Sequence, residues 1–212
     1  MSEMIERYTY RERVMHWLTA LTYVYCLSTG LAFYTPHLFW IAVILGGGPT
    51  SRFWHPIVGL AFFATIVWMH QTWRRDMGFT ETDRRWLDRM GNYVRNEDEL
   101  LPLQERFNAG QKFFYWLMYC GTALLLLSGL VMWFPEYISF KVAWIRQLVI
   151  LIHEAAALAT IGGFIVHVYM SVFMVPGSVG AMTLGYVPKE WAKAHHRLWY
   201  IRVTGGEPAT KE

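Results

Sequence analysis

The chain alternates between long apolar stretches and shorter polar segments. The apolar stretches cover roughly residues 15–34, 53–73, 113–134 and 148–175. Each is close to the ~20 residues that an α-helix needs to cross the hydrocarbon core of a bilayer. The pattern therefore predicts an all-α integral membrane protein with a bundle of four transmembrane helices, which we expect to form one domain over residues 1–212.

Basic residues are distributed unevenly among the polar segments. Three Lys and Arg residues precede the first apolar stretch, eight lie between the second and third, five lie in the tail, and only three lie in the other two connections. Because basic loops stay in the cytoplasm, we expect both termini, the loop 74–112 and the tail 176–212 to be cytoplasmic. The first 13 residues are polar, so a removable signal peptide is not expected.

Composition supports a lipid environment. Hydrophobic residues make up 54% of the 212 residues and charged residues 17%, with a net charge of +3. The basic loops account for this charge, and no nucleic-acid-binding motif accompanies it. Cys26 and Cys120 lie inside apolar stretches, where cysteine behaves as a small hydrophobic residue and does not indicate a disulfide framework. We therefore expect lipid, and no nucleic acid, among the partners.

Histidines within the apolar stretches are the candidate functional residues, because ionisable groups are costly there and commonly functional. The five histidines within or at the edges of the stretches are His16, His55, His70, His153 and His167. His153 and His167 are fourteen residues apart, about 21 Å along one face of a helix. The expected orientation places His153 and His55 near the outer surface and His167 and His16 near the inner surface. The pattern predicts an outer pair, His55 with His153, and an inner pair, His16 with His167.

Two imidazoles facing each other between apolar helices suit the axial positions of a haem iron. Zinc would need three or four clustered ligands, and filling both axial positions favours electron transfer over oxygen chemistry. Gly30 and Gly59 lie on the helix faces of His16 and His55, where they could leave room for a porphyrin or simply allow close helix packing. His70 has a less favourable angular offset from His55, about 60°, so we expect it to be an interfacial or supporting residue.

Five blocks of the sequence, covering nearly the whole chain, are similar to the gamma subunit of membrane-bound formate dehydrogenase, a diheme cytochrome b. They are RVMHW, WHPIVG, RFNAGQKFFYW, LIHEAAAL through IVHVYM, and PGSVGAMTLGYVPKEWAKAHHRLWY. The chain departs from the family pattern at three positions. Arg197 stands where proline is expected, and His70 and Glu154 stand where family members have apolar residues.

The resemblance implies the same two haem pairs and adds a menaquinone site on the cytoplasmic side beside the inner haem. Its motif falls on Asn108, Gly110 and Gln111. Amide side chains can hydrogen-bond quinone carbonyls, and glycine allows close approach of a ring. The same NAGQ segment is also a suitable N-cap for the helix that follows, and both interpretations stay open at this point.

The resemblance further implies two b-type haems, menaquinone or ubiquinone as electron acceptor, and a place in anaerobic respiration in the bacterial cytoplasmic (inner) membrane. Its expected partners are an iron–sulfur beta subunit and a catalytic alpha subunit with a molybdenum or tungsten pterin, which could form a higher oligomer of the heterotrimer. In that complex this chain reduces quinone and is not itself the formate-oxidising subunit.

Two other functions compete with this interpretation. The cytochrome b anchor of a nickel–iron hydrogenase has a similar helix count and haem use, so the co-purifying subunits would distinguish it. A haem-free transporter or proton channel would line a water path with its polar residues, but the apolar stretches here lack paired carboxylates. A haem spectrum separates that class from the cytochromes.

Overall fold

The computed structural model describes residues 3–95, 97, 100–137 and 139–206. Four long helices dominate it, and each covers all or most of one of the apolar stretches. They are α1 (Tyr10–Tyr34), α3 (Gly48–Trp73), α6 (Ala109–Trp133) and α7 (Ala143–Tyr169), the last continued by a π-helical turn at Met170–Met174. The shorter helices are α2 (Phe39–Ile44), α4 (Glu81–Asp88), α5 (Met90–Val94), α8 (Ser178–Leu184), α9 (Lys189–His195) and α10 (Arg197–Thr204).

Among the described residues, three helical segments are long and apolar enough to cross a membrane, judged by length and composition: Gly48–Trp73, Ala109–Trp133 and Ala143–Met174. This agrees with the prediction of a helical membrane protein. Helix α1 is of similar length but is not among the three. Its residues 19–29 include three threonines, two tyrosines and a serine, which lower its hydropathy.

A small antiparallel sheet joins the two ends of the chain. Strand β1 (Met4–Glu6) pairs with strand β2 (Tyr186–Pro188), with Ile5 opposite Val187. Val187 is completely buried, which anchors the pairing. The sequence analysis predicts only helices, and this sheet is an addition to it, because strands of three residues are too short to show an alternating pattern.

The described residues fall into two compact units. The terminal unit lies within residues 1–13, 72–115 and 166–212, and the helical unit comprises residues 14–71 and 116–165. The terminal unit contains the sheet and the helices α4, α5, α8, α9 and α10. The predicted division of the chain into spans, a cytoplasmic loop and a cytoplasmic tail stays a prediction.

A buried arginine and histidine lie at the centre of the terminal unit. Arg7 and His196 are 3% and 2% exposed. His196 Nδ1 lies 2.7 Å from the Glu105 carbonyl oxygen, and His196 Nε2 lies 3.0 Å from the Arg7 guanidinium. Since a carbonyl only accepts, Nδ1 carries the proton and Nε2 accepts from Arg7. Burial and then the Arg7 charge hold the pKa of His196 well below its ordinary value, which fits this neutral, structural role.

Glu12 connects the start of α1 to the end of α3. Its Oε1 atom accepts hydrogen bonds from Trp73 Nε1 at 2.6 Å and from the Arg106 guanidinium at 2.7 Å, and its Oε2 atom accepts from the Thr9 backbone N–H at 2.9 Å. Burial alone would raise the pKa of Glu12, but these hydrogen bonds and the Arg106 charge outweigh burial, so the pKa is lowered. The carboxylate therefore stays ionised and joins the N-terminal residues to the end of α3 and to the segment that precedes α6.

Candidate functional site

The helical unit brings His55 of α3 and His153 of α7 together. Their ring centroids are 6.4 Å apart and their ring planes are inclined by 58°. Both side chains are half-buried. The structure thus places side by side the two histidines that the sequence pattern pairs near the outer surface, and their role as ligands stays a prediction.

Each of these histidines contacts a hydroxyl group from a neighbouring helix. Thr29 Oγ1 of α1 lies 2.7 Å from His55 Nδ1, and Ser128 Oγ of α6 lies 2.8 Å from His153 Nδ1. Thr29 is completely buried and Ser128 is 5% exposed. The two imidazoles are therefore held in the same way, each by a buried hydroxyl on its Nδ1 side.

A glycine follows each hydroxyl residue and lies against the same histidine. A Cβ atom at Gly30 would lie 3.7 Å from His55 Cε1, and one at Gly129 would lie 3.4 Å from His153 Cε1. The sequence predicts that Gly30 lies on the helix face of His16, and the structure places this glycine beside His55. A Cβ atom at Gly59 would meet nothing within 4 Å, so that glycine borders open space.

The other two candidate ligands, His16 and His167, lie in different units. His167 belongs to the terminal unit, where its ring stacks on Phe114 with centroids 4.5 Å apart and planes inclined by 4°. His16 lies on α1 in the helical unit, and the pairing of the two stays a prediction. His70 stacks on Tyr119 with centroids 4.4 Å apart, an aromatic contact that suits the supporting role expected for it.

Asn108 and Gln111 form a capping box at the start of α6. Asn108 Oδ1 accepts a hydrogen bond from the Gln111 backbone N–H at 2.9 Å, and Gln111 Oε1 accepts from the Asn108 backbone N–H at 3.0 Å. The N-cap interpretation of this segment therefore describes what the two side-chain oxygens do. A role of Asn108 and Gln111 in quinone binding stays a prediction. Such a role would use their side-chain amide nitrogens, which take no part in the capping box.

Helix α4 packs against this same helix start. A Cβ atom at Gly110 would lie 3.3 Å from Trp86 Cη2, so the absent side chain makes room for the indole ring. Two residues later, Lys112 Nζ lies 2.7 Å from Asp83 Oδ2 and donates to the Gly78 carbonyl oxygen at 2.9 Å. These contacts hold the candidate quinone residues on a rigid helix end.

Comparisons with known proteins cover nearly the whole chain. The family model described as prokaryotic cytochrome b561 matches residues 7–185. The chain belongs to the prokaryotic cytochrome b561 family. As a cytochrome b, it belongs to a class that carries b-type haem.

Curated relatives of this cytochrome b are formate dehydrogenase subunits. It is 34% identical over 208 residues to the formate dehydrogenase cytochrome b556(fdo) subunit of Escherichia coli (strain K12), with 95% of this chain and 94% of the relative covered. It is 29% identical over 211 residues to the nitrate-inducible cytochrome b556(Fdn) subunit of the same strain, covering 100% and 96%. The Haemophilus influenzae formate dehydrogenase cytochrome b556 subunit is 32% identical over 192 residues, covering 89% and 79%. The resemblance predicted from the five sequence blocks is confirmed.

The outer histidine pair of this cytochrome b fits a haem iron. If two imidazoles bind one metal ion from opposite sides, with bonds of about 2 Å and about 1.1 Å from each nitrogen to its ring centre, their centres are about 6.2 Å apart. The observed separation of His55 and His153 is 6.4 Å. Among the described residues, no three His, Cys, Asp or Glu side chains are grouped to hold a metal ion. Two imidazoles at this separation fit the two histidine ligands that a haem iron would need, and their role as ligands stays a prediction.

Sequence reasoning missed Thr29, Ser128 and Gly129. Hydroxyl residues are common in these helices, and the residue type alone does not separate Thr29 from Thr19 or Thr22. The one available signal was that a hydroxyl residue followed by glycine occurs at 29–30 and again at 128–129. Its meaning depends on which histidine lies opposite, and only the structure provides that.

Proposed function

We propose that this cytochrome b is the diheme membrane subunit of a formate dehydrogenase. It would pass electrons from a periplasmic iron–sulfur subunit across the cytoplasmic (inner) membrane to quinone at a site on the cytoplasmic side. A molybdenum or tungsten pterin subunit would oxidise formate. The observation that carries the proposal is the His55–His153 pair, held at haem-ligand spacing in a chain whose formate dehydrogenase relatives match it almost end to end.

The sheet between the chain ends supports four spans. Strand β1 precedes α1 and β2 follows α7, and paired strands must lie on the same side of a membrane. The chain between them must then cross an even number of times. Three helices of the described residues are apolar enough to cross a membrane by hydropathy alone, so we infer that α1 is the fourth span.

The distribution of charge supports a cytoplasmic location for both ends. The three basic segments, which are the N-terminus, the loop 74–112 and the tail, lie largely within the terminal unit. Contacts such as that between Glu12 and Arg106 join them. Since basic segments stay in the cytoplasm, we propose that the terminal unit is the cytoplasmic end of the protein.

The chain's own residues then have defined tasks. His55 and His153 would hold the outer haem, and His16 and His167 the inner one. Each haem supplies a one-electron couple of its iron when bound. Asn108 and Gln111 would orient the quinone carbonyls in the terminal unit, which also contains His167. Moving an electron inward against a negative interior stores ~2.3 kcal/mol per 100 mV of membrane potential.

Haem and subunit analysis of the purified complex tests this function. We expect two b-type haems per chain, and iron–sulfur and molybdenum or tungsten subunits that co-purify with it. His153→Ala should remove one of the two haems, because the outer iron loses an axial ligand. A nickel-containing partner would identify a hydrogenase subunit instead, and a haem-free chain would contradict the assignment altogether.

Gln111 can be tested separately as a cap and as a quinone contact. Gln111→Glu keeps an oxygen that can accept from the Asn108 N–H, but at neutral pH it removes the side-chain amide donor. We expect haem content and thermal stability near those of the wild type, with quinone reduction at least tenfold slower. The measurement is steady-state reduction of a soluble quinone analogue by the solubilised complex.

Gln111→Leu is the companion variant, since it removes both the cap and the donor. It should lose quinone reduction as Gln111→Glu does, and should lose about 1 kcal/mol of stability in addition. If Gln111→Glu reduces quinone at the wild-type rate, Gln111 serves only as a cap.

A further inference from the structure

The hydroxyl groups beside the outer histidines have little orientational freedom. Thr29 Oγ1 lies 2.8 Å from the Tyr25 carbonyl oxygen, four residues earlier on its helix, and Ser128 Oγ lies 2.6 Å from the corresponding Leu124 carbonyl oxygen. A hydroxyl has one proton, and a carbonyl can only accept. Both hydroxyls must therefore donate to their own helix, since otherwise two acceptor oxygens would be in close contact.

This arrangement determines the tautomer of each histidine. Because the hydroxyl proton is already used, the hydroxyl oxygen can only accept from the imidazole, at 2.7 Å for His55 and 2.8 Å for His153. The ring proton then lies on Nδ1, and Nε2 keeps its lone pair. A neutral imidazole with a free Nε2 is the form that binds iron.

We propose that Thr29 and Ser128 are positioning residues for the outer haem, holding His55 and His153 in the ligating tautomer and lowering the haem's reduction potential. This inference rests on the proposed function. An acceptor on Nδ1 makes the imidazole a stronger donor to the metal, which favours the oxidised iron. A lower potential at the outer haem suits the first acceptor of an electron that is to move inward.

Removing each hydroxyl tests the proposal. Thr29→Val keeps the branched shape of the side chain but removes the hydroxyl acceptor. Ser128→Ala also removes the hydroxyl acceptor, with little change in side-chain volume. In each variant complex we expect both haems to be retained. The reduction potential of one haem should rise by at least about 28 mV, which corresponds to a threefold change in the reduction equilibrium of a one-electron couple. The other haem should keep its potential, and the double variant should show the sum of the two shifts.

Matched variants separate the hydrogen bond from simple packing. Thr29→Ser and Ser128→Thr keep the hydroxyl and should keep the wild-type potential. Thr122→Val is the control, because Thr122 is a buried threonine on α6 whose hydroxyl also donates to the carbonyl four residues earlier, at 2.6 Å. It should leave both potentials unchanged.

The first readout is a redox titration monitored by haem absorption. The second is the low-spin ferric haem signal in electron paramagnetic resonance. Neither readout depends on turnover. If both haems are present and neither Thr29→Val nor Ser128→Ala shifts a potential, the inference is wrong and the proposed function stands. The inference also fails if Thr29→Ser shifts the potential of the outer haem as Thr29→Val does, since packing would then be responsible. Absence of haem from the wild-type complex would overturn the proposed function itself.

Discussion

Replacing His167 by alanine is expected to abolish quinone reduction while formate oxidation with artificial electron acceptors continues at the wild-type rate. Under the proposed assignment, His167 is an axial ligand of the inner haem, and its ring is already oriented by stacking on Phe114. Alanine provides no metal ligand, so the connection between the outer haem and quinone is lost. Under the same proposal another subunit oxidises formate, so that activity should not depend on this side chain.

The experiment compares dye-coupled and quinone-coupled activity in the purified complex, together with haem content. His70→Ala is the matched control, because His70 is also a half-buried histidine near a helix end and stacks on an aromatic ring, that of Tyr119. It should keep both haems and most of the quinone activity. If His167→Ala retains two haems and normal quinone reduction, His167 is not a ligand; if His70→Ala instead loses a haem, His70 replaces it in the assignment.

Lys112→Met is expected to lower the free energy of unfolding of the complex by about 3–5 kcal/mol. Lys112 and Asp83 have side chains only 4% and 3% exposed, with Nζ and Oδ2 2.7 Å apart. Removing the ammonium group leaves the Asp83 carboxylate buried with only the hydrogen bonds from Thr80. The cost comes from this uncompensated charge.

Chemical denaturation of the detergent-solubilised complex measures the effect. Arg85→Met is the control, on the short helix α4 that also carries Asp83. The side chains of Arg85 and its ion-pair partner Glu81 are 69% and 67% exposed, so this pair should contribute less than about 1 kcal/mol. Adding Asp83→Asn to Lys112→Met should recover part of the loss, because both charges are then absent. Equal destabilisation by Lys112→Met and Arg85→Met would show that burial of the pair has no energetic effect.

The sequence was most informative where placing a residue type in its environment costs free energy. Histidine in a span is such a case: the expected orientation of the helices places His55 and His153 at the same depth and so pairs them, and the structure places their rings 6.4 Å apart. Hydroxyl residues carry no such signal, because a helix can satisfy them with its own carbonyls, as it does for Thr19 and Thr122. Thr29 is therefore recognisable only once its neighbour is known.

Other features depend on contacts between distant parts of the chain. Nothing near Met4–Glu6 indicates a strand, because its partner Tyr186–Pro188 lies near the other end of the sequence. Two interpretations of Asn108 and Gln111 stood side by side in the sequence. The capping hydrogen bonds show what their oxygens do, while an amide nitrogen that faces a quinone leaves no trace in the local pattern.

Strand β1 is translated long before its partner β2. The ribosome releases Met4–Glu6 long before Tyr186–Pro188 exists, so the sheet can close only after every proposed span has been translated. His55 and His153 both precede that point, so the outer pair can assemble on a nascent chain whose ends are still apart. A chain truncated before Tyr186 would keep an unpaired strand edge, which can serve as a template for pairing with another chain.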